Sequence, residues 1–354
     1  MTETHLSTAF RIQAGACAAL GSPFYGVFLQ SAADDILADG PTLDLMTPWA
    51  TSPTRKIVED AAQLRFLGAL HDLVLSGDAP DLAALYPAPG RAGDPERAWE
   101  AACAVIPHHR DRLAAFITHE PQTNEVRRSA CLVPGFLAIA DQTRLPLRCF
   151  ELGASAGLNL NWDHYAYRFG DLAWGPSSSS VLIDTDWSGP APAVSAPVQV
   201  IDRRACDRRP GDLNDPVQRR RLLAYIWPDQ IDRLARLNAA MALGLALRVE
   251  VEAADALDWT QAHVRLLPGT TTVLYHSVFW QYLPIATQTA LATTIGQLGE
   301  QATPDAPFAW LCMEPPHDIL AGMQVRLTLW PGGQERVLAT VHPHGAFVQW
   351  ADQP

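Results

Sequence analysis

Two kinds of hydrophobic patterning divide this chain. Up to about residue 120, alanine and leucine recur at helical spacing, most clearly in Ala61–Leu75 (AAQLRFLGALHDLVL). Apolar residues three and four apart lie on one face and seek a core. Asp94-Pro95-Glu96 predicts a helix start, with Asp94 as N-cap and proline at the first helical position. The stretch Ala79–Gly93 is punctuated by proline and glycine and reads as a loop. His108-His109 reads as a solvated helix end. The pattern predicts an all-helical N-terminal domain over residues 1–120. A further helix is expected near Asn124–Asp141. Gln122-Thr123-Asn124-Glu125 stands at its start. Either Thr123 or Asn124 caps free N–H groups there, or the helical part closes over a site and places Asn124 or Glu125 in it.

From Leu147 the pattern changes. Short apolar runs at Leu147–Leu152, Val198–Asp202, Arg248–Asp255, Thr271–Phe279 and Phe308–Cys312 are separated by helical stretches near Asp215–Leu245 and Ala286–Gln301. Strands alternating with helices imply βαβ units and a parallel sheet covered on both faces. The segment Tyr165–Pro197 alternates apolar and polar positions and contains SGPAPAVSAP (Ser188–Pro197). It predicts a β-hairpin plus loop inserted near 164–197 of a second domain over 121–354. In such sheets a ligand binds beyond the carboxyl ends of the strands. Glu151, Gly153, Asp202, Asp255 and Ser277 are expected to gather there.

Composition narrows the class of partner. The 354 residues are 48% hydrophobic and 18% charged, enough for a true core rather than disorder. A formal net charge of −12 argues against non-specific nucleic-acid binding. No apolar run approaches the roughly 20 residues that span a bilayer. MTETHLSTAFRIQ at the start has neither the basic nor the apolar region of a signal peptide. The six cysteines are scattered without a CxxC, as expected for buried thiols in a reducing compartment. A cytoplasmic protein acting on a small molecule, away from membranes and nucleic acids, is the expectation.

The chemistry concentrates after the first strand. Leu147–Asn159 reads LRCFELGASAGLN: an apolar run ending in Glu151, a turn of small residues, and an expected helix start. Gly153 and Gly157 let a ligand approach the backbone, whose N–H groups can hold an anion or a polar group. The same turn matches G-x-S-x-G, with Ser155 as a possible hydrolase nucleophile and His317 or His342 as its histidine. His276, beside Ser277, has a side chain that titrates near neutrality and suits a proton acceptor, or else is a buried core imidazole. Tyr275 and His276 point to opposite faces. Met313-Glu314-Pro315-Pro316-His317-Asp318 is a stiff loop in which Glu314, His317 and Asp318 could form an acid/base group. His342-Pro343-His344-Gly345 lacks nearby cysteines or acids and reads as a hairpin turn, not a metal site. Arg203, Arg204, Arg208, Arg209 and Arg219–Arg221 either recognise an anion or pair with surrounding carboxylates.

The order of glycine loop, acid after the second strand, acid after the third, and a VLYHSVFWQYL fourth strand resembles the class I S-adenosylmethionine-dependent methyltransferases. Gln324–Leu329, Arg336–Val341 and Phe347–Trp350 resemble the closing antiparallel strands of that fold. The resemblance implies an α/β, Rossmann-like methyltransferase-type sheet from about Arg128 onward, preceded by the helical domain. It implies S-adenosylmethionine as cofactor, held by Glu151 near the methionine ammonium, Gly153, Ser155 and Gly157 in the loop, Asp202 at the ribose and Asp255 at the adenine. Ser277 and Val278 then border the methyl group. The insertion delays the second strand, so Asp184, Asp186 and Asp207 are alternatives to Asp202. Over nearly the full length, GSPFYG (Gly21–Gly26), ELGASAGLN, WPDQ (Trp227–Gln230), YHSVFWQYL (Tyr275–Leu283) and MEPP (Met313–Pro316) also resemble a bacterial family of uncharacterised proteins, DUF2332, which carries no activity with it.

The expected function is methyl transfer to a small or medium-sized acceptor, with His276 and then Glu314 as the base. The alternatives are an NAD-dependent oxidoreductase, a serine hydrolase using Ser155, and a non-catalytic ligand-binding or scaffold protein on the same fold.

Overall fold

The computed structural model describes residues 3–316 and 322–351. Two compact units are present. One comprises residues 1–123 with 214–238; the other comprises 124–213 with 239–354. The expected boundary at 120/121 thus falls at 123/124. The second domain is not continuous in sequence, because 214–238 belongs with the helical unit.

The first unit is helical. Its helices include His5–Ala19, Pro23–Leu37, Ala62–Ser76, Pro95–His108 and Arg110–Ile117. Asp94 caps the fourth of these by accepting from the Arg97 N–H, with Pro95 at the first position, as the sequence predicts. The helix Ala62–Ser76 is buried along most of its length. The helix Pro216–Ala224 packs on it: an added Cβ at Gly68 would meet the Tyr225 ring at 2.7 Å, so glycine makes room for that ring. Three polar links tie the segment 214–238 to the rest of this unit. His71 Nδ1 lies 3.2 Å from the Ala224 carbonyl, Arg220 bridges to buried Asp72 at 2.7 Å, and Ser22 donates to Asp229 at 2.6 Å. The helical stretch expected near Asp215–Leu245 is two helices, Pro216–Ala224 and Ile231–Leu247, with Pro228, which has no N–H to continue a helix, in the turn between them.

The second unit is α/β with a mostly parallel central sheet. Its strands are β1 (Leu147–Leu152), β2 (Ala166–Phe169), β3 (Leu172–Trp174), β4 (Leu182–Ser188), β5 (Val200–Asp207), β6 (Glu252–Ala253), β7 (Thr271–Ser277), β8 (Phe308–Glu314), β9 (Met323–Trp330), β10 (Gln334–Val341) and β11 (Phe347–Trp350). The sheet order is β3-β2-β4-β11-β10-β9-β8-β7-β1-β5-β6. From β6 to β8 all pairs are parallel; β9 and β10 then pair antiparallel, as expected of the closing strands. β1 and β8 are buried almost throughout because both faces are covered. The helices Ala256–His263 and Ile285–Glu300 cover one face, where Phe150, Trp259, Leu274, Leu291, Ile295 and Phe308 belong to one core.

Two expectations change here. The insertion near 164–197 is not a separate hairpin. β2 and β3 do form a hairpin, but β4 pairs parallel with both β2 and β11, so the segment extends the main sheet. The third strand, expected over Arg248–Asp255, is only Glu252–Ala253, because it lies at the sheet edge with one neighbour.

Candidate functional site

The strand order reverses between β1 and β7: β5 and β6 lie to one side, β8 to the other. In doubly wound sheets a ligand binds beyond the strands' carboxyl ends at such a reversal. Two non-glycine residues flank it in the left-handed region, Ser155 at φ 56° and the β-branched Val278 at φ 51°. A β-branched residue there is strained, and strain of about 1–3 kcal/mol persists only where surrounding structure enforces it.

The glycine loop is closed by its own protein. The N–H groups from Ala154 to Leu158 all have acceptors within the chain. Ala154 donates to the Cys206 carbonyl at 3.1 Å and Gly157 to the Ala154 carbonyl at 2.8 Å. Ser155 donates to Asp207 Oδ2 at 2.8 Å. Asn124 Oδ1 accepts from both Ala156 and Leu158, at 3.2 and 3.0 Å. In this structure the Asp207 and Asn124 side chains and two backbone carbonyls accept from these N–H groups. The two glycines serve close approach. A Cβ at Gly153 (φ 66°) would meet the Phe279 ring at 2.2 Å, and one at Gly157 (φ 73°) would meet Val249 at 2.5 Å. After the loop the chain forms 3₁₀ turns over Leu158–His164 rather than the expected α-helix. Arg203 pulls this segment onto β5 through the Leu160 carbonyl and both oxygens of Asp163.

Buried polar atoms collect on that segment. Ser155 Oγ, Asn159 Oδ1 and both amide atoms of Asn161 have no hydrogen-bond partner among the described residues. Each costs free energy unless something polar meets it. Glu151, at the end of β1, is also buried and is approached by the Tyr275 hydroxyl at 3.2 Å. Burial raises its carboxyl to about 8, so it is neutral below that pH.

The acids separate by position. The second strand of the parallel set runs on to Asp207, so Asp202 lies at its amino end, about 16 Å along the strand from the crevice. There Asp202 pairs with Arg148 at 3.0 Å. Asp184 and Asp186 lie on β4, separated from β5 by six strands. Of the four candidates only Asp207 stands at the carboxyl edge. Asp255 lies just beyond β6, exposed, and caps the helix Ala256–His263 through the Leu257 N–H at 2.9 Å. Ser277 ends β7.

His276 and Glu314 do meet. His276 Nδ1 and Glu314 Oε1 are 2.7 Å apart, both side chains almost wholly buried. The Trp310 indole N–H donates to His276 Nε2 at 3.0 Å. An indole nitrogen only donates, so Nε2 is an acceptor and the imidazole proton sits on Nδ1, given to Glu314. Both nitrogens are engaged. His276 thus ties β7 to β8 through both ring nitrogens. Glu314 Oε1 also accepts from the N–H groups of Phe279 and Trp280, at 2.9 and 3.2 Å, and so fixes the turn that carries Val278. Glu314 Oε2 is buried without a partner among the described residues. His317 and Asp318 lie outside the described residues.

The basic cluster is largely paired: Arg203 with Asp163, Arg204 with Glu252 and Arg220 with Asp72. His342–Gly345 is the turn between β10 and β11, as expected. Sequence reasoning missed its place, because β10 runs parallel to β8 and delivers His342 and His344 to the same edge as Glu314. His344 Nδ1 stands 3.9 Å from Glu125 Oε2. The two residues are too far apart in sequence for any local pattern to join them. Among the described residues no group of three or more His, Cys, Asp or Glu could hold a metal ion, and no helix is long and apolar enough to cross a membrane.

No curated protein and no solved structure matches the chain. The family described as "Uncharacterized protein conserved in bacteria (DUF2332)" matches residues 7–350. That match takes in the glycine loop, the His276–Glu314 pair and the turn of His344 alike, and the chain belongs to this family.

Proposed function

We propose that the carboxyl edge of this sheet binds S-adenosylmethionine and that the protein transfers its methyl group to a small or medium-sized acceptor. The observation that carries the reading is the set of partnerless buried polar atoms on Ser155, Asn159 and Asn161, directly after β1 and beside the reversal of strand order. A polar, multidentate ligand fits that deficit, and the acids around it fit this one. Asp207 and Asp255 follow β5 and β6 in the order expected for acceptors of ribose hydroxyls and an adenine amino group. Glu151, neutral through burial, is drawn toward its carboxylate by a neighbouring ammonium. When bound, the sulfonium supplies an electrophilic methyl group. The protein's task is then alignment of the acceptor, which by itself supplies several kcal/mol.

The test is calorimetric titration of the protein with S-adenosylmethionine and S-adenosylhomocysteine, with NAD and NADP as controls, repeated on Asp207→Asn. Micromolar binding of the first pair, weakened at least tenfold in the variant, is expected. A folded protein that binds neither refutes the reading. Binding of NAD alone moves the conclusion to a dinucleotide oxidoreductase.

One observation favours a second reading, the left-handed Ser155 at the centre of G-x-S-x-G. Against it, Ser155 Oγ has no partner among the described residues, and β1 is the first strand among them. Covalent labelling of Ser155 by a fluorophosphonate would decide for a hydrolase.

A further inference from the structure

We infer that the helical unit carries a ligand site of its own, a half-open cavity of about 370 Å³ that takes a small apolar carboxylate, its hydrocarbon body inside and its charge at Arg91. The site is separate from the carboxyl edge of the sheet and stands whatever that edge binds. Three segments wall it. They are the end of the helix Ala62–Ser76 with His71 and Leu75, the loop from Ala83 to Arg91, and the start of the helix Ile231–Leu247 with Leu234 and Ala235. Pro228, just before that last helix, completes the wall. All of these residues belong to the helical unit. The loop is the stretch punctuated by proline and glycine, and Pro228 is part of WPDQ, so two features of the sequence that the sheet does not use meet at this cavity.

The walls are held by the protein's own bonds. Ala88 and Arg91 exchange backbone hydrogen bonds at 2.9 and 2.8 Å around Gly90, whose φ is 76°. The Asp94 N–H donates to the Leu85 carbonyl at 2.9 Å and closes the base of the loop. Pro87 and Pro89 restrict its backbone further. On the opposite side Asp229 accepts from the Ser22 hydroxyl and the Phe24 N–H, at 2.6 and 3.1 Å, and so pins the turn that carries Pro228. A cavity formed in advance spares its ligand the cost of ordering the walls.

Floor and mouth differ in chemistry. His71, Tyr86 and Pro228 are buried, whereas Leu75, Pro89, Arg91 and Ala235 are exposed. The floor carries no charge at neutral pH: burial lowers His71 to about 4, and its Nδ1 faces the Ala224 carbonyl. An apolar group suits such a floor. The mouth holds a fixed cation. Arg91 Nε donates to the Tyr86 carbonyl at 3.0 Å, and Nη2 donates to the carbonyls of Tyr86 and Ala83 at 2.7 and 2.9 Å. Backbone carbonyls orient the guanidinium without cancelling its charge, and Nη1 is left to donate to an anion. Size sets the rest. An apolar cavity of about 150 Å³ encloses benzene, so one of about 370 Å³ takes at most about 15 non-hydrogen atoms.

The test is calorimetric titration of the full chain with octanoate and phenylacetate, each compared with its amide. The acids should bind at submillimolar concentration and about fivefold more tightly than the amides, the range that an exposed charge pair supplies. Arg91→Gln should remove that preference and leave the amides as they were. Ala235→Trp, at an exposed position of the wall, should fill the cavity and abolish binding of both. Should a variant fail to fold, alanine-methyl NMR of the unaltered protein serves, in which octanoate must shift Ala83, Ala88 and Ala235. No saturable binding at millimolar concentration overturns the site, as does binding that leaves those methyl groups unmoved or that persists in Ala235→Trp. Equal affinity for acid and amide overturns the assignment to a carboxylate.

Discussion

Replacing Asn124 with alanine strips the acceptor from two buried N–H groups at once. Both Ala156 and Leu158 donate to its Oδ1, at 3.2 and 3.0 Å, and Asn124 is itself buried. A buried donor left without a partner costs about 1–3 kcal/mol. Two donors give a ceiling of about 6 kcal/mol, and water entering the space of the lost amide relieves part of that. A loss of about 3 kcal/mol is expected, a large fraction of ordinary domain stability. For a unit of some 200 residues it lowers the melting temperature by roughly 6–12 °C. Asn124→Asp keeps the acceptor and should lose much less. The assay is urea unfolding followed by circular dichroism, with the transition of the α/β unit analysed separately from that of the helical one. A loss below about 1 kcal/mol in the alanine variant, at unchanged denaturant slope, would refute the claim that Asn124 closes the loop.

The remaining predictions concern strain, charge and thiol access. Gly153→Ala places a methyl at φ 66° and within 2.2 Å of the Phe279 ring, so it should destabilise by more than about 1 kcal/mol; Phe279→Ala in the same chain should recover part of this, and strict additivity in the double-mutant cycle would rule out the contact. Glu151 binds its proton more tightly folded than unfolded, so it favours the folded state below about pH 4.5 and loses that contribution as pH rises to about 8; the loss is on the order of 4–5 kcal/mol, and Glu151→Gln should abolish this slope in urea midpoints between pH 5 and pH 8.5. His71 has the opposite sign: burial lowers it to about 4, so the helical unit should lose up to about 3 kcal/mol as pH falls from 6.5 to 4, and an unchanged midpoint over that range contradicts a buried neutral imidazole. Cys17, Cys131, Cys149, Cys206 and Cys312 are buried and Cys103 is only partly so, so a thiol reagent should modify Cys103 first in the folded protein, and fast labelling of Cys206 would contradict the packing of β5.

The chain by itself determined what depends on neighbours in sequence. Apolar spacing in Ala61–Leu75 and the cap at Asp94-Pro95 gave helices, because the information for one lies within a few turns. Largely apolar, buried strands such as Leu147–Leu152 and Phe308–Glu314 announced a parallel sheet. The closeness of His276 to the strand end and the small residues of the loop were legible for the same reason. Tertiary structure decided which polar groups meet. The length of β5, and so the exchange of Asp202 for Asp207 at the crevice, depended on pairing with β1. The loop N–H groups were open to a ligand in the sequence, but Asn124 and Asp207 reach them from distant segments. His276 lost its freedom to the indole of Trp310, and His344 gained a carboxylate from Glu125. A side chain's chemistry is fixed by its type, but its protonation, orientation and access follow from partners that only the folded sheet brings within a few ångströms.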